Sequence, residues 1–333
     1  MNRPHVHHED RLRIDNYLSE QTPSTIAEDV RIGLSQAQKE LPAKYFYDNR
    51  GSELFDRICD LEEYYPTRTE YALLERVAEP VLSQVRPRDL VEFGSGAARK
   101  IRVLLDAADK LHLPIRYIPF DVSSGMLERS AQALLASYPR LKIHGVVGDY
   151  DHHLHCLPEG GPRLFLYLGG TIGNFSPAAA VDFLTRVAEV MGPKDRLLLG
   201  TDLVKSPHRL HAAYNDSQGI TAAFNLNVLH VINRELDADF IPEEFEHYAF
   251  YNEEASQIEM HLRARRAMEV TIGGIGLTIH LEKGETIRTE ISRKFTRQKV
   301  ASMLESAGLE LQEWMVPDDS SFALSLAAPI ESR

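Results

Sequence analysis

The stretch Val91-Glu92-Phe93-Gly94-Ser95-Gly96 sets a tight glycine turn directly after a run, residues 90–93, that reads as a buried strand. Gly94 and Gly96 let the backbone approach a ligand more closely than any residue with a side chain would. A helical pattern follows, with Ile101, Leu104 and Leu105 on one face. Strand, glycine turn and helix together make a nucleotide-type site; the plainer reading is an ordinary βα turn. The dinucleotide fingerprint asks for a third glycine, and Arg99 stands in its place. Two further strand ends carry carboxylates, Asp121 after residues 116–122 and Asp149-Tyr150 after residues 141–147. Asp121 can accept hydrogen bonds from a ribose diol, and Asp149 with its neighbouring backbone can read an adenine amino group. Lys100, at the start of the first helix, offers a cation to a ligand carboxylate.

Taken singly, each Asp reads as a helix cap or a turn residue. At successive strand ends they point jointly to an adenosine-containing cofactor, because ligands of open α/β sheets lie outside the carboxyl ends of the strands. Without a phosphate-cradling loop, S-adenosylmethionine suits the pattern better than a nicotinamide dinucleotide. A Gly-x-Gly turn after an acidic residue resembles the class I S-adenosylmethionine methyltransferases.

The elements that must hold these residues alternate. Strands are expected at 90–93, 116–122, 141–147, 164–168 and 196–200, with helices over 100–108, 126–135 and 178–190. That order means a parallel sheet with helices on both faces. Thr67 and Glu70 read as a capping box for the helix that begins after Pro66, which holds Tyr64 and Tyr65 in a rigid loop. After residue 205 the rhythm changes to two helices (207–215 and 220–233) and then several antiparallel strands over 248–295. A helix at 297–306 and strands at 309–316 and 322–327 close the chain as an antiparallel hairpin. The fold class is therefore α/β, a Rossmann-like, mostly parallel sheet with a terminal antiparallel hairpin, plus a second α+β substrate-binding domain. Residues 1–20 read as a mobile tail, 69–204 and 296–330 as the cofactor-binding domain, and 21–68 with 205–295 as a lid.

A net charge of −12 argues against a nucleic-acid partner, since phosphate binding wants a basic face. No apolar run approaches the ~20 residues that span a membrane, and the N-terminus lacks the apolar core of a signal peptide. Cys59 and Cys156 are too few and too far apart for a disulfide framework, so a cytoplasmic location is expected. The histidines at 5, 7, 8, 152, 153 and 155 read as solvated rather than as metal ligands, and no metal is expected. A monomer is favoured, because the second domain supplies the cover that a partner would otherwise provide.

Longer motifs now join these pieces. In order come Leu41-Pro-Ala-Lys-Tyr-Phe-Tyr-Asp, Gly51-Ser-Glu-Leu-Phe-Asp and Glu63-Tyr-Tyr-Pro-Thr-Arg-Thr-Glu, then the Gly94 turn and Ile118-Pro-Phe-Asp-Val. Leu168-Gly-Gly-Thr-Ile-Gly-Asn, Leu199-Gly-Thr-Asp-Leu-Val-Lys, Thr221-Ala-Ala-Phe-Asn and Thr289-Glu-Ile-Ser-Arg-Lys-Phe follow. Over about residues 25–328 the chain resembles the L-histidine Nα-methyltransferase family of ergothioneine biosynthesis. The resemblance implies three successive methyl transfers from S-adenosylmethionine, as co-substrate, to the α-amino group of L-histidine, giving hercynine. It implies cofactor contacts at Gly94, Lys100, Asp121, Asp149 and Tyr150, and substrate contacts at Tyr64, Asn174, Tyr214, Met260, Glu290 and Ser292. Gly170, and Arg293 after Ser292, are small departures that touch none of these roles.

Glu290 and Ser292 stand two apart on an expected strand and so share a face. A carboxylate accepts from an imidazole N–H, while a hydroxyl can donate to the other ring nitrogen or accept from it. Met260, alternating with Ile258 and Leu262, would be an adaptable wall, or plain core. Asn174 follows the fourth strand and can accept from an amine, or is a turn residue. Tyr64 and Tyr214 can bind a carboxylate or position water, and Tyr47 can help deprotonate an amine through water. A methyltransferase acting on another α-amino acid, a non-catalytic cofactor-binding relative and a nicotinamide oxidoreductase are the alternatives.

Overall fold

The computed structural model describes residues 11–18, 25–96, 98–150 and 152–330. The first strand, β1 (Leu12–Asn16), is followed by α1 (Ile26–Leu34), where the Thr25 hydroxyl accepts the Glu28 N–H as an N-cap. A short β2 (Lys39–Glu40) leads to α2 (Asn49–Cys59), capped by the Asp48 carboxylate on the Gly51 N–H. The long α3 (Tyr65–Val85) carries Pro66 in its first turn, where a missing N–H costs nothing.

Then comes the expected alternation: β3 (Asp89–Phe93), α4 (Arg99–Lys110), β4 (Arg116–Asp121), α5 (Ser124–Ser137), β5 (Lys142–Val147), β6 (Arg163–Tyr167), α6 (Pro177–Val190) and β7 (Arg196–Asp202). Two helices, α7 (Pro207–Tyr214) and α8 (Ile220–Leu236), introduce five strands: β8 (Phe245–Asn252), β9 (Gln257–Ala264), β10 (Met268–Ile272), β11 (Leu277–Leu281) and β12 (Thr286–Arg293). The chain ends with α9 (Arg297–Ser306), β13 (Leu309–Met315) and β14 (Phe322–Pro329).

The main sheet runs β1-β5-β4-β3-β6-β7-β14-β13. β3 to β7 pair in parallel, and β14 joins β7 antiparallel as half of the terminal hairpin. The order reverses between β3 and β6, and a crevice opens at such a switch point. Strands covered on both faces are apolar along their length: Leu164, Phe165, Leu166, Leu197, Leu198 and Leu199 are all fully buried. One face packs on α3, α4 and α5 through Leu73, Leu104 and Leu134, the other on α6 and α9 through Phe183 and Leu304.

A separate apolar core joins α1 and α2 to α7, α8 and the inserted strands, through Val30, Phe46, Leu54, Leu210, Phe224, Leu262 and Ile287. Its sheet runs β2-β12-β9-β8, with β10 and β11 pairing apart.

The structure corrects two expectations. Residues 12–16 are not a tail: β1 pairs in parallel with β5 from Leu12↔Ile143 to Asn16↔Val147, and the Arg11 guanidinium reaches carbonyls of Tyr138 and Leu141. The capping box does not form. The helix starts at Tyr65, so Thr67 lies inside it and donates to Cys59 Sγ at 3.3 Å. Glu70 is fully buried and turned to tertiary partners.

Candidate active site

The glycine turn sits at the end of β3 in left-handed backbone, with φ of +69° at Gly94 and +47° at Gly96. A side chain at Gly94 would come within 3.0 Å of the Tyr150 hydroxyl, whereas one at Gly96 would meet no protein atom within 4 Å. The space over Gly96 is thus an open cradle that a Cβ would fill. Asp121, ending β4, accepts the Ser123 N–H at 2.9 Å and faces the Gly96 N–H at 3.4 Å. Burial raises its carboxyl above the usual range, and those backbone N–H groups oppose the shift. Tyr150 packs on Phe93, Phe120 and Tyr167 beside the turn. Asp149 precedes it in the loop after β5, its N–H donating to His153 Nδ1 at 3.1 Å. Beneath the turn, Glu92 accepts from the Tyr117 hydroxyl, and burial pushes its carboxyl up to about 7. These donors and acceptors, around an open glycine cradle at the switch point, fit an adenosine-type ligand.

Lys100 is placed as expected but is not free. Its ammonium pairs with Glu70, whose carboxylate also accepts the Gly169 N–H at 2.7 Å. Glu70 therefore ties α3 and α4 to the turn after β6.

That turn carries Asn174 in a 3₁₀ segment, Thr171–Asn174. Gly173 lies so close to β12 that a Cβ there would stand 2.9 Å from the Arg293 carbonyl oxygen and 3.2 Å from its nitrogen. Only glycine permits this approach, which brings Asn174 against the end of the inserted sheet.

On that sheet Glu290 lies opposite Met260 and Ser292 opposite Ile258, with a bulge between Arg288 and Glu290. Directly opposed residues point to one face, so Glu290, Ser292 and Met260 share it. Burial pushes the Glu290 carboxyl up to about 7, against the pull of Lys294. The hydroxyl of Tyr214, the last residue of α7, lies 2.8 Å from Ser292 Oγ. Its ring meets the edge of Tyr64, at the start of α3, with centroids 6.2 Å apart. Burial holds the Tyr64 phenol well above the usual range, and Tyr214, Glu290 and Tyr47 add to the shift. Tyr47 is 45% exposed, yet its phenol is also raised, by burial and then by Glu290.

The eleven residues named from the sequence thus fall into two adjoining groups, five around the glycine turn and the start of α4, and six on β12, β9, α7, the start of α3 and the turn after β6. A third group was not anticipated. Lys294 follows β12, and its side chain is wholly buried. Its ammonium reaches Asp202 Oδ2 at 2.9 Å, Ser292 Oγ at 2.8 Å and Tyr214 Oη at 3.2 Å. Burial alone would depress Lys294, but Asp202 and Tyr214 reverse this and hold it above the usual lysine range. Asp202, ending β7, also accepts from Lys205 at 2.5 Å and from the Tyr65 hydroxyl at 2.7 Å. Burial lowers Lys205 to about 8 despite that partner. The signal for Lys294 lay in the alternation Glu290, Ser292, Lys294, which places all three on one strand face.

A doubly wound sheet, a glycine turn with carboxylates at its strand ends and a terminal antiparallel hairpin define a class I S-adenosylmethionine-dependent methyltransferase. Residues 26–329 match the family described as histidine-specific methyltransferase, SAM-dependent, and the chain belongs to that family. Histidine N-alpha-methyltransferase of Mycolicibacterium smegmatis is 46% identical over 317 residues, which span 95% of this chain and 99% of that protein. Ergothioneine biosynthesis protein 1 of Neurospora crassa is 34% identical over 285 residues, 83% of this chain and 32% of that one. A 4-dimethylallyltryptophan N-methyltransferase of Aspergillus fumigatus is 27% identical over 312 residues, 89% of this chain and 91% of its own.

Proposed function

We propose that this chain methylates the α-amino group of L-histidine three times at the expense of S-adenosylmethionine, giving hercynine in an early step of ergothioneine biosynthesis. The observation that carries the reading is the pair of half-buried Glu290 and buried Ser292 on one strand face, backed by Met260 and closed by Tyr214. A carboxylate and a hydroxyl side by side suit the two nitrogens of an imidazole, whereas an indole would leave one of them unpaired and a hydrocarbon ring both, at about 1–3 kcal/mol for each.

Bound S-adenosylmethionine would supply an electrophilic methyl sulfonium, held by Gly94, Lys100, Asp121, Asp149 and Tyr150. The remaining work is alignment and exclusion of water. Asn174, at the joint between the β6 turn and β12, can accept an N–H from the amine and turn its lone pair toward the cofactor side. Tyr64 can hold the carboxylate, while Tyr214 keeps its hydroxyl on Ser292, and Tyr47, at the exposed rim, can pass an ammonium proton to water. Holding the substrate by its ring leaves the amine end loosely bound, as three successive transfers demand. The unit built on α1, α2, α7, α8 and the inserted strands acts as the lid, and the protein works as a cytoplasmic monomer.

Mass spectrometry of protein incubated with S-adenosylmethionine and L-histidine tests this. Trimethylated histidine should accumulate, with the mono- and dimethyl forms appearing transiently. Absence of any methylated histidine would refute the assignment.

A further inference from the structure

The buried ammonium of Lys294 imposes a direction on the hydrogen bonds around it. An ammonium has three N–H donors and no lone pair. Its neighbours Asp202 Oδ2, Ser292 Oγ and Tyr214 Oη, at 2.9, 2.8 and 3.2 Å, must therefore all accept. Its side chain is fully buried, so no water substitutes for any of them. Ser292 Oγ and Tyr214 Oη also lie 2.8 Å from each other, and one must donate to the other. A phenol is the stronger acid and an alkyl hydroxyl the better acceptor, so Tyr214 donates. Both lone pairs of Ser292 are then filled, by Lys294 and by Tyr214. Its own proton is left over, and accepting from a cation makes that proton a better donor. The other charged groups nearby do not take it up: Asp202 is occupied by Lys294, Lys205 and Tyr65, and Glu290, though on the same strand face, accepts no hydrogen bond from Ser292 and is left to face the ring.

We propose that Lys294 is a positioning residue for substrate recognition: it turns Ser292 into an obligate donor, so the pocket takes the imidazole ring as a single neutral tautomer. The ring's bare nitrogen faces Ser292 and its N–H faces Glu290. This rests on histidine being the substrate. Without Lys294, Ser292 would have a free lone pair and could meet a protonated nitrogen equally well, and the ring would lose its orientation.

The direct test is nitrogen NMR of ring-15N L-histidine bound to the full wild-type chain with S-adenosylhomocysteine at neutral pH. One protonated and one bare ring nitrogen, each with its own shift, are expected. Two protonated nitrogens, or an exchange-averaged pair as in free histidine, would overturn the proposal. Kinetics give a second reading. Lys294→Met should raise KM for histidine about tenfold, as loss of a charge-assisted hydrogen bond does, with kcat and the KM of S-adenosylmethionine little moved. In a Ser292→Ala background the same substitution should change KM by less than about twofold, because coupled partners are not additive. Equal losses in both backgrounds, or an unmoved KM, would overturn the proposal. Lys294→Met leaves Asp202 paired with Lys205 at 2.5 Å and bonded by Tyr65 at 2.7 Å, so the remaining buried charges balance; should the variant still not fold, the wild-type NMR decides the proposal alone. A wild-type protein that neither binds nor methylates histidine refutes the functional assignment itself and this inference with it. Binding with averaged ring nitrogens refutes only the role of Lys294.

Discussion

Replacing Glu290 with Gln should make the ligand-free protein more stable and the enzyme worse. Burial lifts the Glu290 carboxyl from an ordinary 4.5 to about 7. At 1.36 kcal/mol per unit, the empty fold disfavours the carboxylate by about 3 kcal/mol. Below pH 4.5 the group is protonated in both folded and unfolded chains, and nothing is lost. Between 4.5 and about 7 the unfolded chain releases its proton while the folded one keeps it, so stability falls as pH rises. Above that window the full penalty stands. An amide carries no such penalty, so Glu290→Gln should gain about 1–3 kcal/mol at pH 8, a few degrees in Tm, and the gain should fade as pH drops toward 5. The same change weakens the acceptor for the ring N–H. KM for histidine should rise about tenfold, and about a hundredfold in Glu290→Ala, on the usual cost of losing a hydrogen bond to a charged group. Thermal denaturation at several pH values and initial-rate kinetics read both effects. A Tm that falls at pH 8, or an unchanged kcat/KM in Glu290→Ala, would refute the reasoning.

Other consequences are as direct. Gly96→Ala puts a Cβ into space that no protein atom occupies, so it should cost the fold only about 1–2 kcal/mol of left-handed strain while weakening S-adenosylmethionine at least tenfold by calorimetry. Gly173→Ala drives a Cβ to 2.9 Å from the Arg293 carbonyl and should displace Asn174, cutting kcat more than it raises the KM of histidine. Truncation that removes residues 1–17 strips β1 from β5; the bared edge should lower Tm and promote aggregation, seen by light scattering, with the active-site residues untouched.

The sheet was legible because parallel strands buried on both faces are written as short apolar runs, such as Leu164–Leu168 in sequence, each ended by a turn that holds a glycine or an acidic residue. The start of α3 was not. Thr67 and Glu70 have the local spacing of a capping box, but tertiary partners claim them: Cys59 takes the hydroxyl, and Lys100 with Gly169 takes the carboxylate. Leu12–Asn16 carries too few apolar residues to announce a strand, and its conformation is supplied by β5. The proposed cofactor contacts could be argued from strand ends and the start of the first helix after the glycine turn. The proposed substrate contacts came from resemblance, because a Glu or a Tyr on a strand or helix says nothing of what faces it until the fold assembles α3, α7 and β12. Lys294 stood within one of the recognised motifs; its burial, which gives it meaning, depends on Asp202 at the end of a distant strand.

The most direct measurement is a competition in which the purified protein meets S-adenosylmethionine and an equimolar mixture of the twenty common amino acids, with every methylated product resolved by mass spectrometry. Trimethylated histidine as the sole product is expected. Methylation of tyrosine, tryptophan or another amino acid in preference to histidine would contradict the reading of Glu290 and Ser292 as the pair that selects the ring.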